Sequence, residues 1–250
     1  MEDETTIEGV GGARYTEGLS VASLTKRFGA TTAVDDLGFV LRPGDVLGLL
    51  GPNGAGKTTT LSCLAGLLRP DSGEVTWRGL RVDHSRPRPV ALIPETPEVY
   101  RSLTVWQHLV FVARSCRLPE GWKDRGEQLL EDLGLVEFRS RLGHTLSKGL
   151  RQRCLIASAV LAGTPVLALD EPMIGLDPAG QRQLRDLIVH LSRTGVAIVL
   201  STHLLESAEQ LCNRLLIMKN GRMVAEDTLD ALKERHGQAG LEEMFLELTR

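Results

Sequence analysis

The sequence lacks an uninterrupted apolar run of the length that a membrane helix needs, about 18 residues, so it predicts no membrane span. It has only four cysteines and no Cys-x-x-Cys pair, which argues against a zinc site and against a disulfide framework. We expect buried thiols in a reducing cytosol at Cys63, Cys116, Cys154 and Cys212. The acidic start of the chain has neither the basic nor the apolar region of a signal peptide.

An excess of basic residues is also absent. The formal net charge is −3 and the isoelectric point is about 6.1, so the charge gives no reason to expect nucleic acid as the main ligand. Hydrophobic residues make up 42% of the 250 residues and charged residues 24%, a balance typical of globular proteins. Length and composition therefore allow a packed core in one large domain or two small ones.

The strongest motif present is Gly51-Pro-Asn-Gly-Ala-Gly-Lys-Thr-Thr59, which fits the phosphate-binding pattern Gly-x-x-x-x-Gly-Lys-Thr. An apolar run of strand character, Asp45–Leu50, precedes it, and helical spacing of leucines follows from near Gly56. The glycines allow backbone N–H groups to form an anion-binding nest, to which the helix N-terminus adds partial positive charge. Lys57 can then reach the β- and γ-phosphates, and the Thr58 hydroxyl can ligate Mg²⁺. A glycine turn before an ordinary helix is the alternative, and it leaves these flanks unexplained.

Two carboxylates follow a second apolar run, Val166-Leu-Ala-Leu-Asp170-Glu171. In open α/β sheets, ligands bind at the carboxyl ends of the strands. There Asp170 can hold Mg²⁺ through its water shell, and Glu171 can polarise a water for attack on a γ-phosphate. The alternative is a strand that ends in a polar turn. His203 also follows a predicted strand and can approach the same phosphate, whereas we interpret the other histidines as structural: His84, His108, His144, His190 and His236.

Apolar strands that alternate with helices predict an α/β fold with a mainly parallel sheet covered on both faces. The predicted strands are Leu19–Leu24, Phe39–Leu41, Glu74–Trp77, Val90–Ile93, Val166–Leu169, Val196–Leu200 and the hairpin Arg214–Lys219 with Arg222–Ala225. The predicted helices after the first are Thr104–Cys116, Lys123–Leu133, Gly149–Leu161, Pro178–Ser192, Leu204–Cys212, Thr228–Arg235 and Leu241–Leu248. The helical block from about 100 to 160 lies between two predicted sheet strands, so we interpret it as an inserted helical subdomain.

Taken together, these motifs resemble those of ATP-binding cassette (ABC) ATPases, the nucleotide-binding subunits of ABC transporters. The family signature Leu-Ser-Gly-Gly-Gln is matched by Leu146-Ser-Lys-Gly-Leu150, here called the signature turn, in which Lys148 and Leu150 depart from the pattern. Phe28 matches the aromatic residue that stacks on adenine, and Gly175-Leu-Asp177 resembles the D-loop that crosses the dimer interface. His203 resembles the switch histidine of the family.

The resemblance implies a P-loop ATPase domain over 19–226, with an N-terminal antiparallel β subdomain, a loose tail at 1–18 and a C-terminal helical extension at 227–250. The residues that it implies bind ATP are Phe28, Gly51, Pro52, Asn53, Gly54, Ala55, Gly56, Lys57, Thr58, Thr59, Ser147, Gly149 and Asp177. The implied catalytic residues are Glu171, His203 and Lys57, and the implied Mg²⁺ ligands are Thr58, Asp170 and Glu95. Glu95 stands where the family has Gln, so it brings a negative charge close to the triphosphate.

The stretch Ile93–Val105 and the signature turn are most similar to ATPases of drug, lipid and polysaccharide exporters. The implied function is therefore ATP hydrolysis that powers an exporter made of separate membrane permease chains, at the inner face of the cell membrane. A head-to-tail pair of cassettes, either two copies or two different subunits, would enclose two ATP molecules. An ABC ATPase that acts on ribosomes or DNA is the alternative, although the sequence has neither a second cassette nor a long coiled coil. A GTPase or small kinase is a third, although Asn-Lys-x-Asp is absent.

The segment after Glu95 carries Pro97, Val99, Tyr100 and Leu103, an apolar and aromatic composition typical of interface anchors. We expect it to be exposed and to receive a cytoplasmic helix of the permease. The alternative is that these residues pack under the helix that follows.

Overall fold

The computed structural model of the chain describes residues 18–82, 88–235 and 241–249. Most of the predicted tail at 1–18 and of the predicted loop at 84–89 lies outside the described residues, as do His84 and His236. The strands are β1 (Leu19–Phe28), β2 (Thr31–Leu41), β3 (Val46–Leu50), β4 (Ser72–Trp77), β5 (Leu80–Arg81), β6 (Val90–Ile93), β7 (Val166–Asp170), β8 (Ala197–Thr202), β9 (Arg214–Lys219) and β10 (Arg222–Thr228).

Helices occupy most of the chain between and after these strands. The α-helices are α1 (Lys57–Leu64), α2 (Val105–Ser115), α3 (Trp122–Asp132), α4 (Lys148–Leu161), α5 (Pro178–Arg193), α6 (Leu205–Leu211), α7 (Leu229–Arg235) and α8 (Leu241–Thr249). Two short 3₁₀ turns, Val136–Phe138 and Gly143–Thr145, were not predicted. Within the described ranges, no helix combines the length and the hydrophobicity that crossing a membrane requires.

The central sheet has six strands in the order β10-β9-β3-β8-β7-β6, and only the β9–β10 pair is antiparallel. Every residue of β3, β7 and β8 is buried, as expected for parallel strands covered on both faces. Because successive side chains on a strand point to opposite faces, β7 contributes to two hydrophobic clusters: Leu167 and Leu169 to one, Val166 and Ala168 to the other. The predicted mainly parallel core is confirmed.

A second sheet, in the order β2-β1-β4-β5, is antiparallel and packs on the same side as α1. Its first two strands are longer than predicted, because bulges break the alternation of apolar residues from which their ends were estimated. At one such irregularity Ser23 has φ +48°, and on the facing strand Asp36 has φ +53°. The antiparallel β subdomain itself is present as expected.

The insertion between β6 and β7 contains α2, α3 and α4, as predicted. The start of α2 is fixed by a capping box, in which Thr104 Oγ1 accepts from Gln107 N at 3.2 Å and Gln107 Oε1 accepts from Thr104 N at 2.8 Å. Leu109 of α2 and Leu130 of α3 are fully buried, and they belong to the cluster that covers the central sheet. The insertion is therefore packed onto the sheet through a continuous core.

One prediction about the cysteines is wrong. Cys63, Cys154 and Cys212 are buried, and burial raises the pKa of Cys154 and Cys212 to about 12. Cys116 is exposed instead: it is the C-cap residue just beyond the last turn of α2, and the buried residues of this helix end at Ala113.

Candidate nucleotide-binding site

Three of the predicted motifs meet at one edge of the central sheet. Since β3, β8 and β7 are adjacent and parallel, their carboxyl ends lie side by side. The loop 51–56 follows β3, Asp170 and Glu171 lie at the end of β7, and His203 directly follows β8. This is the edge at which open α/β sheets bind ligands.

The loop after β3 is bent so tightly that two of its glycines cannot be replaced. A Cβ atom on Gly51 would lie 2.5 Å from the carbonyl oxygen of Met218, and one on Gly56 would lie 2.2 Å from that of Ala33. Gly56 also has φ +102°, in the region that favours glycine, and it caps the start of α1. The loop therefore leads the first N–H groups of α1 toward the cleft.

The cleft has a volume of about 330 Å³ and brings together side chains that are distant in the sequence. Its lining consists of Phe28, Ala33, Asn53, Gly54, Ala55, Gly56, Lys57, Thr58, Thr59, Glu95 and Glu171. Phe28 is 51% exposed at the mouth of the cleft, and the Lys26 ammonium lies 5.4 Å from the centre of its ring. An exposed ring at this place can stack on a base.

Lys57 is the first residue of α1, and its ammonium is held inside the loop. Nζ donates to the carbonyl of Gly51 at 2.7 Å and to that of Pro52 at 3.2 Å, and it lies 3.9 Å from Glu171 Oε1. Burial lowers the pKa of Lys57, while the nearby carboxylates of Glu171 and Asp170 act in the opposite direction. A phosphate in this loop would compete with the two carbonyls for the ammonium.

Asp170 lies at the centre of a small network of hydroxyl groups. Its Oδ1 accepts from Ser201 Oγ at 2.5 Å and from Thr58 Oγ1 at 3.2 Å. A carboxylate and a threonine hydroxyl this close together are the hard oxygen ligands that Mg²⁺ takes beside a nucleotide, so these residues fit that ion. Thr58 lies in α1, directly after the phosphate loop, and Asp170 is the last residue of the buried strand β7.

Glu171 has an unusual backbone conformation and an unsatisfied side-chain oxygen. Its φ is +44°, which is uncommon for a residue other than glycine, and its N–H donates to Ser201 Oγ at 2.9 Å. Oε1 lies 2.9 Å from His203 Nδ1. Oε2 is buried without a hydrogen-bond partner among the described residues. A buried acceptor with no partner marks a place where a polar ligand or a water can bind.

The three other predicted ATP-binding residues lie outside this cleft. Ser147 is exposed at the start of α4, where its Oγ accepts from Leu150 N at 3.3 Å. Gly149 follows in the first turn of α4. Asp177 caps α5, because its Oδ1 accepts from Gly180 N at 2.8 Å. The cleft lining given above includes none of the three.

Sequence reasoning missed Ser201, which is fully buried and joins Asp170 to the backbone of Glu171. It also missed Gln152, whose side chain is buried and donates to the carbonyl of Pro172, immediately after Glu171. Ser201 directly follows the predicted strand Val196–Leu200, but the pattern does not show that this strand lies beside the one that carries the carboxylates. No comparable signal pointed to Gln152, because α4 and Pro172 are distant in the sequence.

Comparison with known proteins shows the family to which this chain belongs. The family model described as ABC transporter matches residues 34–174. The chain belongs to the ABC transporter family. It is 36% identical over 231 residues to the daunorubicin/doxorubicin resistance ATP-binding protein DrrA of Streptomyces peucetius, an alignment covering 89% of this chain and 68% of DrrA. It is 31% identical over 217 residues to the lipopolysaccharide export system ATP-binding protein LptB of Haemophilus influenzae, covering 84% and 90% of the two chains.

A solved ATP-binding subunit of an ABC transporter superposes on this ABC ATPase with a TM-score of 0.84 and 35% identity, over 93% of this chain and all of the other. The ATP-binding subunit fold predicted from the motifs is therefore confirmed. As a member of this family, the protein binds ATP and hydrolyses it to power transport.

Proposed function

We propose that this ABC ATPase powers an exporter whose membrane path is formed by separate permease chains, and that it works at the cytoplasmic face of the membrane. The observation that carries the proposal is the set of phosphate-binding and carboxylate side chains gathered at one edge of the sheet, in a chain whose described helices do not cross a membrane. Relatives named for drug resistance and for lipopolysaccharide export support export as the direction of transport. The comparisons reported above lend nothing to action on ribosomes or DNA.

Each group at the sheet edge has a role in this proposal. The loop 51–59 and the Lys57 ammonium bind the phosphates, and Phe28 stacks on the base. Thr58 and Asp170 hold Mg²⁺, which would neutralise charge on the phosphates when bound. Glu171 orients and polarises the attacking water through its unpartnered Oε2, and His203 holds Oε1. Glu95 lines the same cleft, close enough to the bound nucleotide to approach the ion or the water.

We also propose that two cassettes assemble head to tail around two ATP molecules. The start of α4 offers backbone N–H groups and the exposed Ser147 hydroxyl, which form an anion site away from the chain's own cleft. A partner related by a two-fold axis would bring its γ-phosphate to this site, while its own signature turn completes the other cleft. In this way the outlying position of Ser147 and Gly149 supports their assignment to the partner's nucleotide.

Glu171→Gln protein should dimerise when ATP and Mg²⁺ are added and should be monomeric without them. Adding Ser147→Trp should abolish that dimer, because an indole at the start of α4 would exclude the partner's phosphate. Light scattering after size-exclusion chromatography measures both states, and Ser140→Trp, at another exposed serine, is the control. A dimer that ignores both nucleotide and Ser147→Trp would contradict the two-cassette arrangement. A chain that dimerises only with a different ATPase subunit would show that the pair is made of two subunits.

The permease contact that we propose is a groove of about 360 Å³ between the segment after Glu95 and helices α2 and α4. The sequence expectation of an exposed segment is only partly right, because Pro97 is buried and Val99 and Leu103 are half-buried. Tyr100 is 58% exposed and stands edge-on to Phe111, which is 46% exposed, at a ring separation of 5.2 Å. These two rings form the wall against which a short cytoplasmic helix of a permease would pack.

Tyr100→Ala should therefore weaken co-purification of the permease chains and lower transport, while the ATPase activity of the isolated subunit stays nearly unchanged. The matched control is Val136→Ala, which shortens an exposed apolar side chain in a different part of the helical insertion. Circular dichroism of both variants shows whether they fold. The docking proposal fails if folded Tyr100→Ala protein assembles and transports like the parent.

Mass spectrometry of the chains that co-purify from solubilised membranes tests the exporter proposal itself.

A further inference from the structure

The loop 172–176, between Glu171 and the start of α5, contains two backbone hydrogen bonds, from Ile174 N to the carbonyl of Glu171 at 3.2 Å and from Leu176 N to that of Met173 at 3.4 Å. Side chains of the flanking helices hold it from outside. Its carbonyl groups accept hydrogen bonds from three residues on the two flanking helices. Gln152 of α4 donates at 3.3 Å, and Gln181 of α5 donates to two carbonyls at 3.4 Å each. The shortest of these bonds joins Lys148 Nζ to the carbonyl of Ile174, at 2.5 Å. The position of this loop is therefore set by α4 and α5.

Lys148 is well built for this contact. It is the first residue of α4, and it is half-buried. Gly175, which has φ +72°, lies directly beneath its side chain: a Cβ atom there would be 3.5 Å from both Cδ and Nζ of Lys148. Among the described residues no carboxylate forms a salt bridge with its ammonium, so the carbonyl of Ile174 is the contact by which the charge is held. Hydrogen bonds from a charged donor are about twice as strong as neutral ones.

The two ends of this contact belong to different ATP sites in the two-cassette arrangement. The signature turn, with Ser147 and Gly149, would meet the ATP bound by the partner. The loop 172–176 carries Glu171 at one end, which serves the chain's own ATP, and Asp177 at the other. Lys148 is the residue of the signature turn that connects them directly, and it occupies a place where the family signature has glycine.

We propose that Lys148 is a positioning residue that couples the signature turn to the loop carrying Glu171, so that engagement of the partner's ATP sets the carboxylate for hydrolysis in the chain's own site. This inference rests on the proposed two-cassette function. When the start of α4 is fixed against a phosphate, the Lys148 ammonium fixes the carbonyl of Ile174. The side chain of Glu171, three residues earlier in the chain, then has less freedom to move. Without the ammonium, ATP still binds but Glu171 is less often in place.

Lys148→Met in the full chain tests this coupling, because it removes the charge and keeps the length of the stem. We expect kcat for ATP to fall about tenfold, the factor that loss of one charge-assisted hydrogen bond would give, and KM to stay within about twofold. Lys148→Arg keeps a charged donor and should restore most of the turnover. Lys123→Met, at an exposed lysine on α3, is the matched control.

Hydrogen–deuterium exchange measures the contact itself. In Lys148→Met, amides in a peptide spanning 172–177 should exchange about tenfold faster, while peptides from the middle of α4 and from β7 should not change. A kcat within twofold of the parent, or unchanged exchange at 172–177, overturns the proposal. A raised KM with a weakened ATP-dependent dimer and unchanged exchange also overturns it, because the ammonium would then act on phosphate directly. A parent chain that hydrolyses ATP but never dimerises would instead contradict the two-cassette function, and the exchange result would still decide whether the contact holds the loop.

Discussion

At the edge formed by β3, β7 and β8 the polar side chains are buried and bond to one another, whereas the start of α4 presents an exposed serine bonded within its own first turn. Asp170 accepts two hydroxyl hydrogen bonds, and Glu171 bonds His203 through one oxygen and leaves the other buried and unpartnered. Ser147 caps its helix and faces outward. One region is a prearranged set of groups, and the other is, in the two-cassette arrangement that we propose, half of a site.

The difference has a consequence for mutagenesis. A substitution at the sheet edge acts on groups already in contact within one chain, so it should change turnover whether or not the chain is paired. A substitution of Ser147, by contrast, should act only when a second cassette is present. The predictions that follow test the first half of this contrast in the chain by itself, starting with the largest effect.

Glu171→Gln should lower kcat at least a hundredfold while leaving ATP binding nearly intact, because the amide keeps the shape of the side chain but cannot polarise water as a base. Binding of a fluorescent ATP analogue and steady-state phosphate release measure the two effects separately. Glu120→Gln, at an exposed carboxylate in the loop before α3, is the control. Turnover close to that of the parent would show that Glu171 is not the catalytic residue, and its buried, unpartnered Oε2 would then have no explanation.

Ser201→Ala should have a smaller effect on the same network, a fall of about tenfold in kcat with little change in KM. It removes the donor to Asp170 and leaves the buried N–H of Glu171 without its acceptor, a loss of about 1–3 kcal/mol. We also expect the melting temperature to fall by several degrees, at about 2–4 °C per kcal/mol for a chain of this size. The exposed Ser115→Ala on α2 is the comparison. If kcat stays within twofold, the hydroxyl bridge does not position Glu171.

How well the sequence predicts the structure depends on how far apart in the chain the interacting residues are. The loop 51–59 and the strand before it form a local unit, so the start of α1 was predicted to within one residue. The long bulged strands β1 and β2 were underestimated, because a bulge shifts the alternation from which strands are recognised. Residues 83–87 and the segment before residue 18 lie outside the described structure.

The site shows the same division. Lys57, Asp170 and Glu171 could be predicted, because each belongs to a motif within a few residues of a strand end. Ser201 could not, because its role depends on β8 being the neighbour of β7, which the sequence pattern alone does not fix. Similarly, the contact of Lys148 with Ile174 joins residues 26 positions apart. A prediction from local pattern identifies the groups that act and misses those that hold them.

His108 extends the comparison to a polar group that is buried in the helical insertion, outside the nucleotide cleft. It is 4% exposed, its Nδ1 lies 2.7 Å from the carbonyl of Thr104, and its Nε2 accepts from the backbone N–H of Tyr100 at 3.0 Å. A carbonyl cannot donate and an N–H cannot accept, so the ring is neutral with its proton on Nδ1. Burial lowers the pKa of His108 below its usual value near 6.5, while the hydrogen bond to the carbonyl of Thr104 acts in the opposite direction.

The smallest predicted effect is therefore the part of the pH dependence of the free energy of unfolding that comes from His108. The unfolded chain binds this proton more tightly than the folded one, so the contribution to the free energy of unfolding is complete above pH 6.5 and is lost as the pH falls through 6.5 toward the lower pKa of the folded state. Protonation turns Nε2 into a donor that faces the N–H of Tyr100, which ends a buried hydrogen bond worth about 1 kcal/mol.

His108→Gln can still accept from that N–H and does not titrate. In urea unfolding, the free energy of unfolding of the parent should therefore fall by about 1 kcal/mol more than that of the variant between pH 8 and pH 5.5, a range set by the ordinary pKa of histidine. Because the other histidines are the same in both proteins, only the difference between the two curves reports on His108. Parallel curves would mean that protonation of His108 does not break the bond to Tyr100, and that this wall of the groove is held by packing.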